Sequence, residues 1–75
     1  MKYQIGTQYL SSGKHPHVCL ISDYWTTTNI AGQIVKERYV ASHMFMGQYI
    51  IDYDVNEVTI ARGLDRLEDY SKRIK

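Results

Sequence analysis

The chain has 75 residues, of which 44% are hydrophobic and 23% are charged, and its formal net charge is +1. These values are typical of one folded domain and exclude a disordered chain, while the short length limits the core and its stability. The near-neutral charge argues against a protein that binds mainly by neutralising many phosphates, although it leaves room for a local basic patch.

The cysteine count and the hydropathy favour a cytoplasmic location. Cys19 is the single cysteine, which excludes an intramolecular disulfide and favours a reducing environment. Residues 1–10 lack the apolar run of a signal peptide, and no stretch approaches the ~20 apolar residues of a membrane span. We therefore expect a cytoplasmic protein that makes no membrane contact.

The N-terminal part of the chain predicts one strand followed by a loop. Tyr3–Leu10 alternates in polarity with an interruption at Gly6, which is typical of a short strand with a bulge. Ser11–His17 is polar and contains Gly13 and Pro16, both of which break regular structure.

The central part predicts a long β-hairpin. Two runs rich in β-branched and aromatic residues, Val18–Thr28 and Ile34–Met46, are joined by a turn at 29–33. Gly47-Gln48 has the glycine-first order of a type II′ turn and leads into a strand at Tyr49–Tyr53.

The C-terminal part changes from turn to strand to helix. Residues 54–57 are polar and predict a single turn capped by Asp54. Val58–Arg62 predicts a fifth short strand that ends at Gly63. From there the apolar spacing becomes helical, and acidic residues precede basic ones, which predicts an amphipathic helix at 64–75. One side of this helix carries Leu64, Leu67, either Tyr70 or Ser71, and Ile74.

This order of five short strands with a polar loop after the first resembles the SH3-like small β-barrel, over Tyr3–Gly63. The resemblance implies a mainly β fold: a five-stranded barrel at 1–63 with a C-terminal α-helix at 64–75 in the same domain. It implies nothing about function. The segment RYVASHMFMGQYIIDYDVNEVTIARGL, residues 38–64, resembles small accessory proteins of tailed bacteriophages and prophages, which implies a short gene product acting inside an infected bacterium.

A zinc site and a cysteine nucleophile are two chemical interpretations of the histidines and the cysteine. His15, His17 and Cys19 stand two residues apart, and His43 could join them from the next strand. The apolar surroundings of Cys19 favour a buried thiol instead. Cys19 could pair with His43 or His17 for nucleophilic catalysis, but so small a domain offers little volume for a catalytic pocket. We therefore predict no metal, no cofactor and no enzymatic activity.

An acidic cluster of Asp52, Asp54 and Glu57 could supply general acid and base groups or a cation site. Such clusters are more often solvated turns, and the position of Asp54 favours a backbone cap. We expect a structural role for this cluster.

The aromatic content gives the main indication of function. Seven tyrosines, one tryptophan and one phenylalanine exceed what so small a core can bury, and tyrosine and tryptophan are enriched at binding surfaces. The candidate binding residues lie on the hairpin and the strand after it: Tyr24, Trp25, Lys36, Arg38, Tyr39, His43 and Tyr49.

Three functions are compatible with this surface. The first is a phage-type accessory protein that binds and modulates a host protein or a defence complex. The second is a nucleic-acid-binding small barrel, in which aromatic side chains stack on bases while Lys36 and Arg38 contact phosphates. The third is a homo-oligomer that captures a nucleotide between subunits, with Arg38 or Arg62 on the phosphate.

Overall fold

The computed structural model describes residues 2–73, which form one antiparallel sheet and one helix. The strands are β1 (Gln8–Leu10), β2 (Val18–Thr28), β3 (Ile34–Phe45) and β4 (Gln48–Val55), and they lie in the order β1-β2-β3-β4. The helix α1 spans Glu57–Arg73. The predicted mainly β fold with a C-terminal helix is confirmed, while Ile74 and Lys75 of the predicted helix lie outside the described residues. Within 2–73, no helix has the length and apolar character needed to cross a membrane.

The predicted fifth strand at Val58–Arg62 is wrong, because these residues form the first turns of α1. The side chain of Asn56 caps this helix: its Oδ1 accepts a hydrogen bond from the Thr59 backbone N–H at 2.8 Å. The β-branched residues favour a strand locally, but helical geometry buries Ile60 completely. The cap is therefore Asn56 and not Asp54, and the helix begins seven residues earlier than predicted.

The sheet is open in the part of the chain that the structure describes. β1 pairs with β2 and β4 pairs with β3, which leaves β1 and β4 as the two edges. Four strands are present instead of the predicted five, and closure into a barrel is not shown. The segment expected to supply the additional strand is helical, which accounts for the missing strand.

Two turns use backbone conformations that favour glycine. Met46 and Gly47 have φ of 51° and 78° and stand between the paired residues Phe45 and Gln48, which is a type I′ hairpin turn and not the predicted type II′ turn. At Gly6, with φ of 97°, the backbone N–H donates to Ile21 O at 2.8 Å, and Ile21 N–H donates to Thr7 O at 2.9 Å. Two residues thus face one, as in a bulge. The predicted strand at Tyr3–Leu10 is however limited to Gln8–Leu10, and Gly6 lies in the turn before it.

The core lies between α1 and one face of the sheet. Ile21, Tyr39 and Ile60 have no exposed surface and occupy its centre. The Tyr39 hydroxyl accepts hydrogen bonds from the backbone N–H groups of Lys2 and Tyr3, at 2.8 and 3.0 Å, which ties the N-terminal segment to the core.

The helix approaches β1 closely at Gly63. A Cβ atom at this position would lie 2.5 Å from Tyr9 Cδ2 and 2.8 Å from the backbone oxygen of Leu10. The Arg66 Nη2 donates to the same Leu10 oxygen at 3.0 Å, one turn further along α1. The absence of a side chain at Gly63 therefore sets the distance between the helix and the sheet.

We expect Gly63→Ala to lower the free energy of unfolding by about 1–3 kcal/mol, because the added methyl group would force the helix away from β1. Alanine is otherwise the better helix former by about 1 kcal/mol, so intrinsic propensity alone would give the opposite sign. Urea denaturation measures the change, and Arg62→Ala on the exposed side of the same turn serves as the control. Equal or higher stability of Gly63→Ala would contradict this packing.

Candidate binding face

The face of the sheet opposite the helix carries exposed apolar and aromatic side chains. Leu20, Ser42 and Ile51 are register partners across three strands, and Met44 pairs with Tyr49. These residues alternate with the core residues, so they lie on the opposite side of the sheet. We define the open face by its large side chains, which are 37–63% exposed: Val18, Leu20, Met44, Tyr49, Ile51 and Tyr53.

The middle of the open face is lined by smaller side chains. Val40 and Ser42 on β3 are 7% and 3% exposed, because larger residues on either side cover them. The hydroxyl groups of Ser42 and Tyr49 share a hydrogen bond at 2.8 Å, which fixes the orientation of the Tyr49 ring. Tyr49, a predicted binding residue, is therefore both exposed and held in position.

Trp25 lies at one end of the open face and is half-buried. Its indole Nε1 donates to the backbone oxygen of Tyr53 at 2.7 Å, and Lys36 Nζ lies 5.5 Å from the centre of its ring. The register of β3 and β4 shifts next to Tyr53. Asp52 pairs with Ala41 and Val55 pairs with Tyr39, so three residues along β4 correspond to two along β3. The indole contact therefore holds the bulge in β4.

Arg38 supports the same bulge through an ion pair. Its Nε lies 2.7 Å from Asp54 Oδ1, and its Nη1 donates to the backbone oxygen of Glu37 at 2.6 Å. The Asp54 carboxylate offsets the positive charge of the guanidinium. Of the two predicted basic binding residues, Arg38 is thus engaged within the chain and Lys36 lies on the indole ring.

The remaining predicted binding residues lie toward the helix side of the sheet. Tyr39 has no exposed surface, so we do not retain it in the binding face. The Tyr24 ring packs on the Tyr39 ring with the ring centres 5.0 Å apart. Partial desolvation raises the pKa of Tyr24, and the negative charge of Glu37 raises it further. His43 stacks on His17 with the ring centres 5.0 Å apart.

A cleft of about 200 Å³ beside the core brings Cys19, His43 and Asp52 together, with Tyr9 in its wall. His43 Nδ1 lies 3.9 Å from Cys19 Sγ. Burial raises the pKa of the Cys19 thiol, an effect that a hydrogen bond with Tyr9 partly offsets and the charge of Asp52 reinforces. Because a thiol that stays protonated is a poor nucleophile and a poor zinc ligand, the cleft favours a structural thiol.

The zinc interpretation of the histidines gains no support from the geometry. Among residues 2–73, no group of three or more histidine, cysteine, aspartate or glutamate side chains is arranged to hold a metal ion. The acidic residues Asp52 and Asp54 bind within the chain: Asp52 Oδ1 accepts the Asp54 backbone N–H at 3.0 Å, and Asp54 pairs with Arg38.

Sequence reasoning missed most of the open face. Val18, Leu20, Met44, Ile51 and Tyr53 were not among the predicted binding residues. A signal for two of them, Ile51 and Tyr53, was present on β4, where they alternate with residues on the other face in the same pattern as Tyr49. The position of the helix, which decides which of the two faces is covered, comes from the structure.

Comparisons with protein-family models, curated proteins and solved structures give no match to this chain.

We expect alkaline pH to destabilise the fold through Tyr9 and Cys19. Burial raises the pKa of both groups in the folded state. The unfolded chain therefore loses these protons first, near the ordinary pKa values of 10.0 for Tyr9 and 9.0 for Cys19. Their contribution to stability is complete below pH 9 and decreases as the pH rises above it.

Urea denaturation from pH 7 to pH 11 measures this effect. Tyr9→Phe removes one of the two groups and should flatten the decline, whereas Tyr70→Phe removes an exposed phenol on α1 and should leave it unchanged. An equally steep decline in Tyr9→Phe and the unmodified protein would show that Tyr9 has no part in it.

Proposed function

We propose that this chain is a protein-binding module that contacts its partner through the open face. The observation that supports this is the set of large apolar and aromatic side chains left 37–63% exposed on one side of a sheet whose other side packs its central residues against α1. Contiguous exposed patches of this kind on small domains are typical of interaction sites. Tyrosine and methionine are both enriched at protein interfaces.

The contacts of the cationic side chains favour a protein partner over a nucleic acid. Binding single strands requires basic groups along the backbone path together with aromatic rings that are free to stack. Here the Arg38 guanidinium pairs with Asp54, and the Lys36 ammonium lies against the ring of Trp25. The exposed rings of Tyr49 and Tyr53 stand beside Ile51 and Met44, which is an apolar setting.

The distal part of the hairpin adds further unpacked apolar surface. β2 and β3 continue past Tyr39, where the pairing with β4 ends, and form a two-stranded arm. Ile34 and Val35 on this arm are 56% and 60% exposed. An isolated two-stranded ribbon is marginally stable in water, so contact with a partner would stabilise the arm.

We further propose that the partner is a host protein or a defence complex, and that the chain acts inside an infected bacterium. This part of the proposal follows from the sequence resemblance to phage accessory proteins. The open face is compatible with it, since a small interaction module needs neither a catalytic group nor a cofactor. Nucleic-acid binding and nucleotide capture by a homo-oligomer are the competing functions.

Affinity purification tests the open face directly. A tagged protein is recovered from a nuclease-treated bacterial lysate, and a co-purifying protein is identified by mass spectrometry. We expect the variant Met44→Ser with Tyr53→Ser to lower its recovery about tenfold or more, because truncation of central apolar residues removes most of the binding energy. Tyr70→Ser on α1 is the matched control, since Tyr70 is 50% exposed, and should leave recovery unchanged.

Thermal unfolding of both variants measures whether each retains the fold, and we expect both to do so. Equal recovery of the partner by the open-face variant and the control would contradict the proposed face. Recovery of nucleic acid that the bound protein protects from nuclease would support nucleic-acid binding. Recovery of a small-molecule ligand held by a homo-oligomer would support nucleotide capture.

A further inference from the structure

We propose that the outer edge of β4 pairs with the same strand of a second copy of this chain, antiparallel and centred on Ile50, to form a continuous eight-stranded sheet. The proposal does not rest on the open face having a protein partner. It rests on the unpaired edge, on the residues along it and on the register that their side chains allow.

The backbone groups available on this edge follow from the hairpin. Phe45 and Gln48 flank the two-residue turn and form a hydrogen-bonded pair, so His43 with Ile50 and Ala41 with Asp52 are hydrogen-bonded pairs as well. The N–H and C=O groups of Tyr49 and Ile51 therefore point away from β3. In the described part of the chain β4 is the last strand of the sheet, and no further strand pairs with these groups.

The features that usually protect an edge strand are missing from the first half of β4. Residues 48–52 read QYIID, with no lysine and no proline, and Ile50 and Ile51 are 38% and 43% exposed. Protection is confined to the far end of the strand, where the bulge at Tyr53, held by Trp25, and the ion pair of Asp54 interrupt regular pairing. The edge available for pairing thus comprises residues 48–52.

The side chains favour one register on this edge. With Ile50 opposite Ile50 of the second copy, Tyr49 faces Ile51 on both sides of the twofold axis, and these pairs exchange the free backbone hydrogen bonds. Aromatic and β-branched side chains form favourable cross-strand pairs. At the two ends Gln48 faces Asp52, so an amide donor meets a carboxylate and no like charges are opposed.

Shifting the register loses this complementarity. If Ile51 stood opposite Ile51, Ile50 would face the Asp52 carboxylate, and Tyr49 would face Tyr53, whose carbonyl already accepts the Trp25 indole N–H. If Asp52 stood opposite Asp52, two carboxylates would repel each other. Compared with the registers centred on Ile51 and on Asp52, the register centred on Ile50 leaves no carboxylate against an isoleucine or against a second carboxylate.

Site-specific cross-linking tests both the dimer and its register. In the proposed pairing, position 50 meets its own copy as a non-hydrogen-bonded pair with Cα atoms about 4.5 Å apart, within disulfide range. Position 51 is offset along the strands from its own copy, beyond the ~7 Å limit for a disulfide. Mild oxidation should therefore link Ile50→Cys into a covalent dimer and leave Ile51→Cys monomeric, with the 5% exposed Cys19 of the unmodified chain as background.

Sedimentation equilibrium of the unmodified chain and of two Gln48 variants gives a second readout that needs no new cysteine. Gln48→Glu places a carboxylate opposite Asp52 at both ends and should raise the dimer Kd about tenfold, whereas Gln48→Lys should lower it. Preferential cross-linking through position 51, equal effects of the two Gln48 variants, or a monomer at the highest soluble concentration would each overturn the proposal.

Discussion

The close contact of Gly63 with β1 is the constraint on which the rest of the structure depends. Because Gly63 has no side chain, α1 packs directly against Tyr9 and the Leu10 backbone on one side of the sheet. This position places Ile60 in the core. The helix covers the part of this face around Ile21 and Tyr39, whereas Val35, Phe45 and Ile50 on the same face remain 38–60% exposed. The large side chains of the other face, from Leu20 to Tyr53, are left in contact with solvent.

The end of β4 shows how residues that appear suited to binding can instead hold the fold together. Trp25 and Arg38 fasten the bulge through the Tyr53 carbonyl and the Asp54 carboxylate, and in doing so they set where regular pairing of β4 stops. The bulge separates two regions of different character: a regular edge at residues 48–52 and a free two-stranded arm beyond Tyr39. Binding to a partner and pairing with a second copy would therefore use adjacent but different groups, side chains on the open face and backbone on the edge.

Much of the fold was predictable from local pattern, because the central hairpin depends on β-branched residues and turn glycines close together in the chain. The segment from Val58 to Arg62 was not, because its β-branched residues favour a strand while the cap at Asn56 and the burial of Ile60 favour a helix. For the candidate site, the aromatic excess correctly indicated that some rings are exposed. It could not show that Tyr39 is buried while Tyr53 is exposed, since that depends on which face the helix covers.

Hydroxyl-radical footprinting of the free protein tests most directly the claim that α1 covers the centre of one face of the sheet and leaves the other face open. Methionine and tyrosine side chains react according to their exposure, so the chain carries its own probes on both faces. We predict rapid oxidation of Met44, Tyr49 and Tyr53 and strong protection of Tyr9 and Tyr39, which are 4% and 0% exposed. Protection of Tyr49 and Tyr53 equal to that of Tyr39 in the monomer would contradict it.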